Sequence, residues 1–201
     1  MENLIKSIAA GMVISLGGLI NLKCLTDGNA ILGAFLFTIG LYSVLQFKFN
    51  LYTGKVCYVN NYKNPLGLII VFIGNLIGCA IFSIMTWYKP ELFEFCTKLC
   101  NNKLNKPYAN IFIDAFLCGV CIAIAVIGYN LSTNEKYIPI LLGVMVFILG
   151  GYEHVVADLF YFLSAKCVTF ESVIFILITA VGNTIGGLVM GLLIQVHINR
   201  Q

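Results

Sequence analysis

Charged residues cut the chain into long uncharged stretches, over residues 7–22, 28–47, 64–88, 115–134, 137–152 and 172–199. A helix needs about 20 apolar residues to cross a hydrocarbon core, and the two shortest stretches continue into apolar neighbours across a single charge. The pattern predicts six crossings and an all-α membrane protein, with residues 1–201 forming one membrane domain. The first stretch lacks a small-residue cleavage site followed by a soluble domain, so it reads as a permanent helix rather than a removable signal.

Polar interruptions then break the pattern in two places. The second stretch runs apolar from Ala30 to Phe47 and meets KFNLYTGK, residues 48–55, whose Asn50, Thr53 and Gly54 do not suit a continuous membrane helix. The fifth runs from Ile138 to Leu149 and meets GGYEHVVAD, residues 150–158. Irregular backbone at membrane depth survives only when buried in protein or lining a wet cavity, because each unsatisfied amide in lipid costs several kcal/mol. Matching breaks in the second and fifth helices therefore predict a pore or vestibule between them.

Repetition supports the pairing. GNLIGC at residues 74–79 returns as GNTIGG at 182–187, and Gly33, Phe37, Gly40 and Tyr42 match Gly143, Phe147, Gly150 and Tyr152 at a constant spacing of 110. The chain reads as two three-helix repeats, 1–105 and 106–201, joined by the charged segment from Lys89 to Lys106. An odd number of crossings per copy makes the repeats inverted, an arrangement that puts binding sites near the midplane.

Composition narrows the class. The chain is 60% hydrophobic and 10% charged, with a mean hydropathy of +0.94, which calls for a bilayer as solvent. A net charge of +3 is too small and scattered for a nucleic-acid partner. Lysines after the third crossing oppose the positive-inside tendency if the amino terminus is cytoplasmic, so charge alone selects no orientation. The eight cysteines sit mostly in or beside apolar runs and act as small hydrophobes. Cys118 and Cys121 have the spacing of a redox site, but low dielectric raises a thiol pKa there. Cys96 and Cys100 read as unreactive thiols of a polar loop, without a histidine to complete a metal site.

An ionisable group in a membrane span is a functional candidate because it is costly. His154 stands near a midplane, whereas His197 is interfacial. A lone histidine among apolar residues is commonly a satisfied structural group; the helix break favours function here. Glu153 is read as an acceptor for donors exposed by the break, and Asp158 as either orienting the His154 ring or capping a nearby turn. No further ligand accompanies His154 at metal spacing and no nucleophile stands beside it, so neither an enzyme nor a metal or other cofactor is expected. Imidazole donates to an anion or exchanges a proton with it, and Thr53 supplies a hydroxyl from the opposite break. Phe37 and Phe147 either narrow the path on both sides or simply pack helices.

Four segments in order, LYTGK, GNLIG, YEHVVAD and GNTIGG, resemble the formate/nitrite transporter family, which includes hydrosulfide channels; the likeness runs from about Gly11 to Leu193. It implies an aquaporin-like protomer in a homopentamer, passing small monovalent anions such as formate, nitrite, hydrosulfide, acetate or lactate across the plasma membrane. By position, His154 resembles the central pore histidine and Thr53 the threonine near it. Phe37, Leu41, Leu51, Tyr52, Val126 and Phe147 fall where the family builds constrictions, and Asn75 and Asn183 look like the paired asparagines of the repeats. Lys106 lies near the pore lysine's place, displaced by about one residue, and would attract anions. Tyr52 stands where phenylalanine is usual, Asp158 replaces an asparagine, and Ala123 occupies a position where some members have a pore asparagine. The expected function is a passive channel or proton-coupled carrier for a weak-acid anion, with His154 exchanging the proton. The alternatives are an intramembrane thiol oxidoreductase using Cys118 and Cys121, and a non-transporting membrane scaffold.

Overall fold

The computed structural model describes residues 1–58, 60 and 63–198, and every described element is helical. Four helices are long and apolar enough to cross a membrane: α1 (Glu2–Thr26), α4 (Pro65–Trp87), α6 (Tyr108–Leu131) and α9 (Phe170–Ile198). Between them lie α2 (Ala30–Gln46), the single turn α3 (Tyr52–Lys55), α5 (Pro90–Leu104), α7 (Tyr137–Leu149) and α8 (Val155–Ser164).

Small residues set how the long helices pack, as expected where lipid supplies no hydrophobic drive between helices. A Cβ on Gly78 of α4 would stand 2.2 Å from the Ile8 carbonyl oxygen of α1, and one on Gly186 of α9 would stand 2.0 Å from that of Phe116 in α6. Gly78 and Gly186 are 108 residues apart, and so are Ile8 and Phe116. The α1–α4 and α6–α9 pairs thus make the same contact. Their outer faces stay apolar, with Ile69, Ile73, Ile77 and Ile81 exposed along α4 at one-turn spacing.

Both predicted breaks are present, and they share one mechanism. Helix α2 ends with Lys48 at a φ of 56° and α7 with Gly151 at 68°. Each terminus closes with the two backbone bonds of a Schellman cap: Phe49 N–H to Val44 C=O and Lys48 N–H to Leu45 C=O in the first, Tyr152 N–H to Phe147 C=O and Gly151 N–H to Ile148 C=O in the second. The backbone then runs extended through Leu51 and His154 before α3 and α8 begin. These equivalent steps lie 103 residues apart, so the 110-residue spacing does not pair structural counterparts. Phe37 and Phe147 instead meet as neighbours, edge to face at 5.9 Å.

The segment read as a polar loop is the helix α5. Proline at its first turn, Glu91 beside it and Lys103 in its last turn suit a helix and its dipole. Leu92, Cys96 and Cys100, one turn apart, are buried, and the Cys96 thiol donates to the Tyr161 carbonyl of α8 at 3.3 Å.

Candidate functional site

Two asparagines in the long helices hold the breaks. The Asn75 side chain accepts from Tyr52 N–H at 2.9 Å and donates to the carbonyls of Ser7 (2.8 Å) and Asn50 (2.9 Å). The Asn183 side chain accepts from Val155 N–H at 2.9 Å and donates to those of Ala115 and Glu153, both at 2.8 Å. Each therefore saturates one N–H and one carbonyl that the interruption leaves without a helical partner, Tyr52 and Asn50 in the first and Val155 and Glu153 in the second, and ties them to a carbonyl inside α1 or α6. Both are fully buried.

Held this way, α3 and α8 bring Thr53 and His154 together. Thr53 Oγ1 lies 2.9 Å from His154 Nε2, and both residues are buried. His154 Nδ1 accepts the Ala157 N–H at 3.1 Å, which caps α8. An accepting Nδ1 puts the proton of the neutral ring on Nε2, so the imidazole donates towards Thr53. Phe147 stacks on the ring, with centroids 5.5 Å apart and planes at 19°, and Phe37 closes on Phe147. A hydrogen-bond donor aimed from the start of a helix, walled by aromatic rings, suits a small anion.

Cavities approach this centre from the two ends of α2. One, of about 420 Å³, is lined by Leu41, Leu51 and Val126 together with Lys48, Lys55 and Asn130. The other, of about 290 Å³, is lined by Ala30, Ile148, Tyr152, Glu153, Lys103 and Lys106. Ala30 in the second and Leu41 in the first leave about 16 Å of α2 between the cavities, at 1.5 Å per residue.

Most of the residues singled out in the sequence converge here, and two do not. The Tyr52 ring packs edge-on against Phe72 at 5.2 Å and its hydroxyl lies 2.9 Å from that of Thr184, away from both cavities. Asp158 neither orients His154, whose ring nitrogens have other partners, nor caps a turn with its side chain: its carboxylate pairs with Lys103 at 2.9 Å.

Lys103 is the residue sequence reasoning missed. Its ammonium also bonds Glu153 Oε2, while Lys106 bonds Glu153 Oε1 at 2.7 Å and Asp114 at 2.7 Å. Burial disfavours the charge on Lys103, but Asp158 and Glu153 outweigh it and hold the ammonium above the usual lysine range. Lys106 is raised in the same way, its burial outweighed by Asp114 and Glu153. A sequence signal existed: three residues before Lys106, on a helical pattern whose buried face is Leu92, Cys96 and Cys100, a lysine falls close to that face.

Comparison with known proteins agrees with this geometry. The model of the formate/nitrite transporter family matches residues 1–197. Formate channel FocB of Escherichia coli K12 is 22% identical over 177 residues, covering 77% of this chain and 63% of its own. Formate channel FocA of the same strain is 26% identical over 162 residues, covering 76% and 52%. An uncharacterized transporter of Bacillus subtilis, YwcJ, is 27% identical over 95 residues, 44% of this chain and 37% of its own. The chain thus spans less than two thirds of the length of each. Among solved structures, a pentameric formate channel with formate bound aligns with a TM-score of 0.80 at 18% identity, covering 98% of this chain and 95% of that one. An FNT family ion channel aligns at 0.82 and 20% identity, covering 94% and 87%. At these identities the likeness is one of fold.

Proposed function

Because the chain belongs to the formate/nitrite transporter family, we propose that this multi-pass membrane protein carries small monovalent weak-acid anions across the plasma membrane. Formate, nitrite, hydrosulfide, acetate and lactate define the substrate class. The short helices complete second and fifth crossings, giving six spans in two inverted three-helix repeats, aquaporin-like, and the protomers assemble as a homopentamer. Support for the repeats comes from the equivalent clamps at Asn75 and Asn183 and the matching caps at Lys48 and Gly151.

The carrying observation is the Thr53–His154 pair, buried between two cavities that open at opposite ends of α2. A bare anion faces a steep dielectric barrier among Phe37, Leu41, Leu51, Val126 and Phe147. Neutralising it at His154 lowers that barrier. A proton from solvent water enters on Nδ1, releasing the Ala157 N–H, and the imidazolium passes its Nε2 proton to the anion, which crosses as the neutral acid; the ring, left protonated on Nδ1, resets when Nε2 takes a proton from solvent and Nδ1 gives its own back. Opening the cap costs about 1 kcal/mol, a cost that pairing with the anion offsets.

The test is stopped-flow uptake of formate, nitrite, hydrosulfide, acetate and lactate into proteoliposomes, in mildly acidic and mildly alkaline buffer. Uptake should rise on acidification, and His154→Asn should flatten that dependence. An unchanged profile in the variant would remove the proton from the mechanism, and wild-type liposomes impermeable to all five anions would end the reading. The thiol alternative gains nothing from the fold, since Cys118 is fully buried within α6.

A further inference from the structure

The ion pairs behind His154 centre on α5, the helix of the charged segment that joins the two repeats. Glu153 immediately precedes the histidine and Asp158 follows it by one turn, closed by the Asp158 N–H to His154 C=O bond of 2.9 Å. Both carboxylates are buried, and one ammonium, that of Lys103, touches both. We propose that Lys103, supplied by α5, is the positioning residue of His154: it clips Glu153 to Asp158 and so fixes the turn that presents the ring. This rests on the transport reading above for its functional readout only.

The first break shows what the clip adds. Its equivalents of Glu153 and Asp158, 103 residues earlier, are Asn50 and Lys55. Asn50 is held by amide bonds from two helices, its N–H on the Lys6 carbonyl of α1 at 3.2 Å, its side-chain amide on that of Asn3 at 3.4 Å, and its own carbonyl accepting from Asn75 of α4 at 2.9 Å. The break carrying the histidine has two acidic side chains instead, and α5 brings a lysine to them.

Charge makes the arrangement testable. The cluster contains two ammoniums, Lys103 and Lys106, and three carboxylates, Glu153, Asp158 and Asp114. Asp158 Oδ2 already has no partner, so without Lys103 the whole buried carboxylate is uncompensated, a costly state. A proton on Asp158, or an amide in its place, relieves that cost. The charged groups facing it are Lys103 and Glu153, with Lys106 and Asp114 joined to them through Glu153; the other titratable neighbours are His154, Tyr161 and the thiols of Cys96, Cys100 and Cys118.

Formate flux is compared in proteoliposomes of wild type, Lys103→Met and the double variant Lys103→Met/Asp158→Asn. In alkaline buffer the single variant should lose about tenfold or more. In acidic buffer it should regain part of the loss, as a proton replaces the ammonium. The double variant should recover most of the flux and the wild-type pH profile. A single variant equal to wild type, a loss that is the same at both pH values and persists in the double variant, or a double variant that does not assemble would overturn the proposal. If Lys103→Met alone fails to assemble, the double variant decides: active supports the clip, inactive overturns it. Should wild type pass none of the five anions, the transport reading fails, and thermal unfolding in detergent still reads the clip. Lys103→Met must then lower Tm more in alkaline than in acidic buffer, with Asp158→Asn restoring it; no restoration overturns it.

Discussion

At the scale of single residues, the contact between Thr53 and His154 joins side chains 101 positions apart and decides what the centre can do. Replacing Thr53 by valine keeps the shape and removes the oxygen, leaving Nε2–H buried without its partner. Such a group costs about 1–3 kcal/mol. We expect Thr53→Val to fold, to unfold at a lower temperature in detergent, and to lose formate flux; unaltered flux would take Thr53 out of the pathway. Which of these residues meet was largely legible in the sequence, because an ionisable ring or a hydroxyl amid apolar runs needs a polar partner. Tyr52 was not, because its backbone position in the LYTGK turn is shared with Thr53 while its side chain leaves in another direction. The role of Lys103 and the partner of Asp158 were invisible for the opposite reason: the two meet only through tertiary packing.

At the scale of elements, the breaks were legible and their register was not. Polar residues and paired glycines inside apolar runs announce an interruption, but glycine and phenylalanine are too common here to fix the alignment of two copies. Only the caps do so, at Lys48 and Gly151. Helix α5 was hidden by its polarity, since Glu91, Glu94, Thr97, Lys98, Asn101, Asn102 and Lys103 leave only one narrow buried stripe, Leu92, Cys96 and Cys100. The asparagine clamps carry the clearest consequence. Asn183→Ala leaves Val155 N–H and the carbonyls of Ala115 and Glu153 without that side chain, and Asn75→Ala does the same for Tyr52, Ser7 and Asn50. The N–H and the carbonyl at the break then lack a partner, and buried groups of this kind cost about 1–3 kcal/mol each, so either variant should lose a few kcal/mol. Thermal unfolding and size-exclusion profiles in detergent check this, and a variant as stable as wild type would show that the breaks do not depend on their clamps.

At the scale of the whole molecule, a homopentamer of 22.1 kDa protomers should give a native mass of about 110 kDa, and another stoichiometry by native mass spectrometry would reject it. The two cavities then differ in charge. Around Lys103 and Lys106 the ammoniums are matched by Glu153, Asp158 and Asp114, so that mouth offers an arriving anion little net attraction. The opposite cavity is lined by Lys48 and Lys55 and, among the described residues, by no acid. Clefts of one sign concentrate counter-charges and speed their capture, and salt screens the effect. Lys48 also holds the left-handed cap of α2, a conformation asparagine tolerates. Lys48→Asn therefore removes the charge and keeps the break. We expect it to lower formate flux several-fold at low substrate concentration and low salt, with the difference from wild type shrinking as salt rises. Flux equal to wild type at low salt would mean that capture does not depend on this mouth.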